Sequence, residues 1–288
     1  MAVHKRSYRG YAGDLTAAWS RDLIVTRYAF KNVFSSRLLT AFFVICFFYP
    51  LGCAIAIYLN ENLRVLSALN IRALIEVNGL FFFTFLNVQL AMAFILTAFV
   101  GPGLISPDLA NNALPLYLCR PFSRAEYVVG KMAVLVTLLS LITWIPGLLL
   151  FLIQASLAGI AWLAANLWIA AAIFLGSAIQ ILVLCLLSLA LSAWIKRKLA
   201  AGAALLGVFF FGAGLGTAIN AVMSTRMGNL LNVGELLTSV EVNLFRVVET
   251  GRATHVPADF AWLALLAMCA FCLMLIERKV RAYEVVKG

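Results

Sequence analysis

The chain has 288 residues, 64% of them hydrophobic and 12% charged, with a formal net charge of +10. A soluble domain is about half apolar and about a quarter charged, so these proportions exclude a fold dressed for water and make the bilayer the solvent. The positive charge sits between apolar runs, where it sets membrane orientation rather than building a nucleic-acid surface.

Residues 1–37 are polar and basic, and the first apolar run starts near Leu38. That is too late for a cleavable signal peptide, and none is expected. Within this region residues 14–37 place Leu15, Ala18, Trp19, Leu23 and Thr26 at helical spacing, with Arg21, Arg27, Lys31 and Arg37 supplying charge. The pattern predicts an amphipathic helix in the plane of the interface.

Six apolar runs follow, at about 38–59, 79–100, 127–153, 164–194, 199–222 and 260–276. Each has roughly the ~20 residues that a bilayer core requires. The third and fourth meet in a weakly polar hairpin near 154–165, because as one helix they would far exceed bilayer thickness. The expected fold is therefore an all-α integral membrane protein with six transmembrane helices, a basic N-terminal segment (1–37), a transmembrane domain (38–276) and a short tail (277–288).

Lys and Arg set the orientation. Seventeen fall in the N-terminal segment, the loops after spans two and four, and the tail; the other side has five, namely Arg64, Arg72, Arg226, Arg246 and Arg252. Both termini are expected in the cytoplasm. The segment from Met223 to Asp259 is then external, and its scattered apolar residues predict one or two short amphipathic helices dipping into the outer interface.

Much familiar chemistry is missing. There is no Gly-x-x-x-x-Gly-Lys-Ser/Thr phosphate loop, and the two histidines, His4 and His255, lie outside the spans. No catalytic residues and no cofactor bound by this chain are expected. Met268, Cys269, Cys272 and Met274 put soft sulfur close together in span six, as Cu(I) would require. No histidine supports a site there, so no metal is assigned. Five of the six cysteines (Cys46, Cys53, Cys185, Cys269 and Cys272) lie in apolar runs, as small hydrophobes do. No disulfide framework is expected.

The spans hold almost no ionisable residues away from their ends, which weighs against a proton- or ion-coupled carrier. Their polar groups either tie helices together or line a transport path; Asn87, Gln89, Gln180 and Asn220 are the candidates for such a path. Span five carries Gly207, Gly212 and Gly216. Gly212 and Gly216 form a Gly-x-x-x-Gly pair that suits close helix packing, within the chain or between two copies.

The stretch 101–131 is the most polar interruption. Ser106-Pro107-Asp108 reads as a helix start, predicting a short helix through 109–114, and Arg120-Pro121 interrupts the chain. Ser123-Arg124-Ala125-Glu126 is a capping box directly before span three. Lys131 falls one to two turns inside that span, where it can snorkel back to the interface.

Over these thirty or so residues the chain resembles the permease subunits of type-2 ABC transporters. The match is carried by Asp108, Asn112-Ala113-Leu114, Leu116 and Leu118, Pro121, Ser123-Arg124-Ala125-Glu126 and Gly130-Lys131. Asp108 and Asn112 depart from the family's commoner Glu and Gly. The resemblance implies an exporter subunit in the cell (plasma or inner) membrane, paired with a second copy or a related chain. ATP and Mg would bind a separate ATPase subunit. The helix after span two would be the coupling helix that docks on it, with Asp108, Asn112, Leu114, Arg120, Pro121, Ser123, Arg124, Glu126 and Lys131 at the junction. The alternatives are a membrane scaffold or assembly subunit that moves nothing itself, or a secondary carrier. Substrate is not legible.

Overall fold

A computed structural model describes residues 26–31, 33–61, 76–111, 124–247 and 256–279, with the side chain of Arg124 left out. Within them the chain is all-helical, and six helices are long and apolar enough to cross a membrane: Arg37–Glu61, Gly79–Ala110, Ala125–Ala158, Ile160–Trp194, Lys198–Met223 and Ala258–Lys279. The amphipathic helix expected over 14–37 lies largely outside the described residues; 26–31 are helical.

Proline breaks the first three spans in two. Span one is α1 (Arg37–Ile45) and α2 (Phe48–Glu61), parted at Cys46–Phe47. Pro50 has no amide hydrogen, so the carbonyl of Cys46, four residues back, loses its helical donor. Span two is α3 (Gly79–Val100) and α4 (Pro102–Ala110), joined at Gly101. Pro102 takes the first position of α4, where a missing N–H costs least. Span three is α5 (Arg124–Ile142) and α6 (Trp144–Ala158), parted at Thr143 ahead of Pro146.

Span four, α7 (Ile160–Trp194), is one 35-residue helix. It is reached from α6 through the single residue Gly159, whose φ of 90° is open to glycine at little cost. The polar hairpin expected near 154–165 is thus one residue long. Gln154 sits inside α6, buried, and donates to Glu61 Oε1 at 2.7 Å. The weak polarity of this stretch does not mark a loop: Gln154 meets Glu61 of span one from inside the helix.

Helix α7 is the axis of the molecule. It packs against α3, α4, α5, α6, span five (α8, Lys198–Met223), α9 (Val233–Leu244) and span six (α10, Ala258–Lys279). Its most apolar stretch is 61% buried, against 17% for α8 and 22% for span one, so these last two lie at the periphery. One end of the bundle gathers Lys131, Lys198 and Lys279: Lys131 pairs with Asp108, Lys198 lies against Gly103, and Lys279 covers Trp194. We call this the basic end.

Between spans five and six a 3-10 turn (Met227–Leu231) and α9 fold back among the spans. Asn232 caps α9 by accepting from the amide of Glu235 at 3.3 Å. The turn packs on Gly212 and Gly216 of α8. Gly212 lies eleven residues before the end of α8 at Met223, which is roughly 16 Å of helix. The segment then rises through α9 until Phe245 meets Gly79 at the start of span two.

Candidate functional site

At the basic end, α4 and α5 are joined by an ion pair. Lys131 Nζ lies 2.8 Å from Asp108 Oδ2, with side-chain exposures of 10% and 17%. Tyr127 Oη donates to the same oxygen at 2.7 Å, and Lys131 sits 5.5 Å from the centre of the Tyr127 ring. Tyr127 is fully buried, one turn before Lys131 on α5, so both reach the same carboxylate. Ahead of these helices, Thr26 donates to the carbonyl of Gly130 at 3.1 Å. A cavity of about 770 Å³ opens beside them, with Asp108, Lys131, Lys198 and Ser36 in its wall.

Helix α4 is also tied to α7. Ser192 Oγ accepts from the amide of Ser106 at 2.9 Å and from that of Ile105 at 3.2 Å. Ser106 Oγ lies 2.7 Å from the carbonyl of Ile195 and 3.0 Å from that of Ser192. Ser106 therefore starts no helix, contrary to the reading of Ser106-Pro107-Asp108. α4 begins four residues earlier, at Pro102. The same rule of proline at the first turn applies, but to the other proline, and Ser106 lies inside the helix, where its amide and that of Ile105 donate to Ser192 of a distant span. Asn112, Leu114, Arg120, Pro121 and Ser123 lie outside the described residues. Arg124 and Glu126 open α5, with Glu126 in its first turn.

Nearer the middle of the bundle, Asn87 on α3 and Gln180 on α7 converge on Glu241 of α9. Gln180 Nε2 donates to Glu241 Oε1, and Asn87 Nδ2 lies 3.4 Å from Oε2. Thr238, one turn back on α9, lies 3.4 Å from Asn87 Oδ1. Glu241 is 1% exposed, and burial pushes its carboxyl up from the ordinary 4.5 to about 8, with the Gln180 hydrogen bond opposing the rise. The sequence reading missed it: one acid in a long segment of mixed polarity carries no local sign of burial. Its signal is that α9, as a helix, puts Glu241 on one face with Leu237 and Val240.

The other two path candidates are tied elsewhere. Gln89 Nε2 donates to the carbonyl of Cys46 at 3.2 Å. Asn220 Oδ1 accepts from the amide of Gly228 at 2.8 Å, and its Nδ2 donates to Asn229 at 2.6 Å, so it pins the 3-10 turn. A Cβ on Gly216 would stand 2.7 Å from the carbonyl of Gly228, and one on Gly212 would collide with that of Leu231. A Cβ on Gly207 would meet nothing within 4 Å. Met268 and Cys269 pack against the core that contains Cys272.

No family model and no curated protein sequence matches the chain. What the fold defines is a multi-pass, all-helical membrane protein.

Proposed function

We propose that this chain is the membrane-spanning permease subunit of an ATP-driven transporter, working as an exporter with a separate ATPase subunit. The observation that carries this reading is the Asp108–Lys131 pair. It joins α4 directly to span three, on either side of the polar stretch. A push on α4 is delivered through Asp108 to span three and through Ser106 and Ser192 to span four. Motion of that kind is rigid-body switching. The resemblance over residues 108–131 names the pusher: an ATPase docked at the basic end, on the cytoplasmic side of a plasma or inner membrane. A second permease copy or a related chain completes the assembly, and ATP and Mg stay on the ATPase.

The test is affinity purification of the tagged chain from its native membrane, followed by ATP hydrolysis measurements. A co-purifying ATPase whose association is lost on Arg120→Glu or Arg124→Glu, with the permease still folded, supports the reading. A purified chain with no ATPase beside it, or one bound equally well by both variants, overturns it. A secondary carrier is the second reading, and Glu241 favours it, since carriers keep acids at membrane depth. Transport that persists without ATP would establish that reading instead.

A further inference from the structure

Neither helix packing nor docking explains Glu241 in the bundle interior. It lies on the segment folded back between spans five and six, yet its carboxylate is enclosed by spans two and four. Its hydrogen-bond partners are the neutral amides of Gln180 and Asn87. The nearest cation along the chain, Arg246 just past α9, places its guanidinium 4.9 Å from the centre of the Trp168 ring of α7, and the packed elements themselves bring no charge to the Glu241 carboxyl. α3, α7 and the 3-10 turn contain no Asp, Glu, Lys, Arg or His; α8 contains only Lys198, at the basic end; α10 contains Asp259 at one end and Glu277, Arg278 and Lys279 at the other. The titratable groups left on these elements are the thiols of Cys185, Cys269 and Cys272, and the other acid on α9 is Glu235. An ionised carboxylate in such surroundings is costly, and it either finds a counter-charge or takes a proton.

A further observation points to the proton. Gln180 Oε1 and Ser177 Oγ, one turn apart on α7, are buried without a hydrogen-bond partner. Turning the Gln180 amide about its last torsion would present Oε1 to Glu241, where a carboxylic acid could donate to it. The pair thus has a hydrogen-bonded arrangement in each protonation state: carboxylate accepting from Nε2, or acid donating to Oε1.

The segment that carries Glu241 is bounded by Ser224 and Arg246, with φ of 49° and 51°. Among the described residues these are the only non-glycine positions in the left-handed region. Both end a helix: Ser224 caps α8, and after α9 the amides of Arg246 and Val247 donate back to the carbonyls of Asn243 and Val242, the common left-handed helix ending.

We propose that Glu241 is a proton-binding site, protonated while α9 is packed against α3 and α7, and ionised when the segment from Ser224 to Arg246 withdraws and the carboxyl meets water. The proton comes from water and returns to it, so one packing and withdrawal cycle binds and releases one proton. The site does not depend on the energy source of transport, and its test stands apart from any ATPase.

The experiment is infrared spectroscopy of the purified full-length chain in lipid nanodiscs, titrated with pH and compared with Glu241→Gln. The expected result is a protonated-carboxyl band at about pH 6 that Glu241→Gln removes, that Asp108→Asn leaves in place, and that fades by about pH 9. Amide hydrogen exchange supplies the conformational arm. Protection of 233–244, corrected for intrinsic exchange, should fall with rising pH by up to about tenfold per unit in the wild type and stay flat in Glu241→Gln. Gln180→Leu carries the same test should Glu241→Gln fail to insert: without its donor the carboxylate is disfavoured, so the band should persist to higher pH. Absence of any Glu241-dependent protonated carboxyl at about pH 6, or protection with the same pH dependence in wild type and Glu241→Gln, would overturn the proposal.

Discussion

Gln89 of span two donates its side-chain amide to the carbonyl of Cys46 in span one, 3.2 Å away. That carbonyl is the one Pro50 leaves without a helical donor. The break in span one and the buried glutamine in span two are thus two halves of one arrangement. A polar group that is a candidate to line a transport path also completes a neighbouring helix.

This relationship predicts a double-mutant cycle. Gln89→Leu leaves the Cys46 carbonyl unpaired among apolar groups and should cost ~1–3 kcal/mol of stability. Pro50→Ala restores the amide hydrogen, so the same Gln89→Leu change should cost clearly less in that background. Thermal unfolding in detergent of the four variants measures the coupling; equal costs in both backgrounds would refute it.

The Asp108–Lys131 pair predicts a second asymmetry. Removing one partner of a buried ion pair costs ~3–5 kcal/mol. With 17% of the Asp108 side chain open to solvent, Lys131→Met should fall at or below the lower end of that range. Asp108→Asn together with Lys131→Met should cost less than the sum of the two single changes, because no charge is then stranded. Tyr127→Phe removes one hydrogen bond to the same carboxylate and should cost about 1–2 kcal/mol. The readout is again thermal unfolding.

The glycines of span five separate folding from pairing. Gly216→Leu drives a side chain into the Gly228 backbone and should destabilise the segment that carries α9, seen as lost protection in hydrogen exchange. Gly207→Leu adds its side chain to open space and should leave the fold intact. If span five forms the contact with a second copy, Gly207→Leu weakens dimerisation alone, measurable by light scattering in detergent.

Ser192→Ala deletes the hydroxyl of α7 that accepts from the Ile105 and Ser106 amides of α4. Leaving a buried donor unsatisfied costs ~1–3 kcal/mol. The amides of Ile105 and Ser106 should exchange faster while the rest of the bundle is unchanged, which hydrogen exchange with peptide resolution would detect.

Glu241 gives the stability a pH dependence of definite sign. Its carboxyl is raised from 4.5 to about 8 in the folded chain, so between those values the folded state holds a proton that the unfolded state has released. Stability from this group is complete below about pH 4.5 and is lost progressively as pH rises towards about 8. Glu241→Gln should remove that loss. Relative to wild type, the variant should gain stability between about pH 5 and about pH 9 by no more than about 5 kcal/mol. A constant difference in unfolding temperature across that range would contradict the sign.

The six spans were legible in the sequence, because length and apolarity are local properties that a bilayer enforces one helix at a time. The polar interruption from Gly101 to Lys131 was equally visible, whereas the first three spans read as unbroken runs although the prolines that break them stand in the sequence. The partners of these residues were not legible. Nothing near Pro50 names Gln89, nothing near Ser106 names Ser192, and a lone acid at position 241 reads as one more charge in a mixed segment. The reason is physical: a missing amide or an acid is written in the chain where it occurs. Whether it is costly depends on which distant helix excludes water from it and which side chain answers it. Tertiary packing alone decided that Gln89 serves Cys46, that Asp108 joins Lys131, and that Glu241 sits between Asn87 and Gln180.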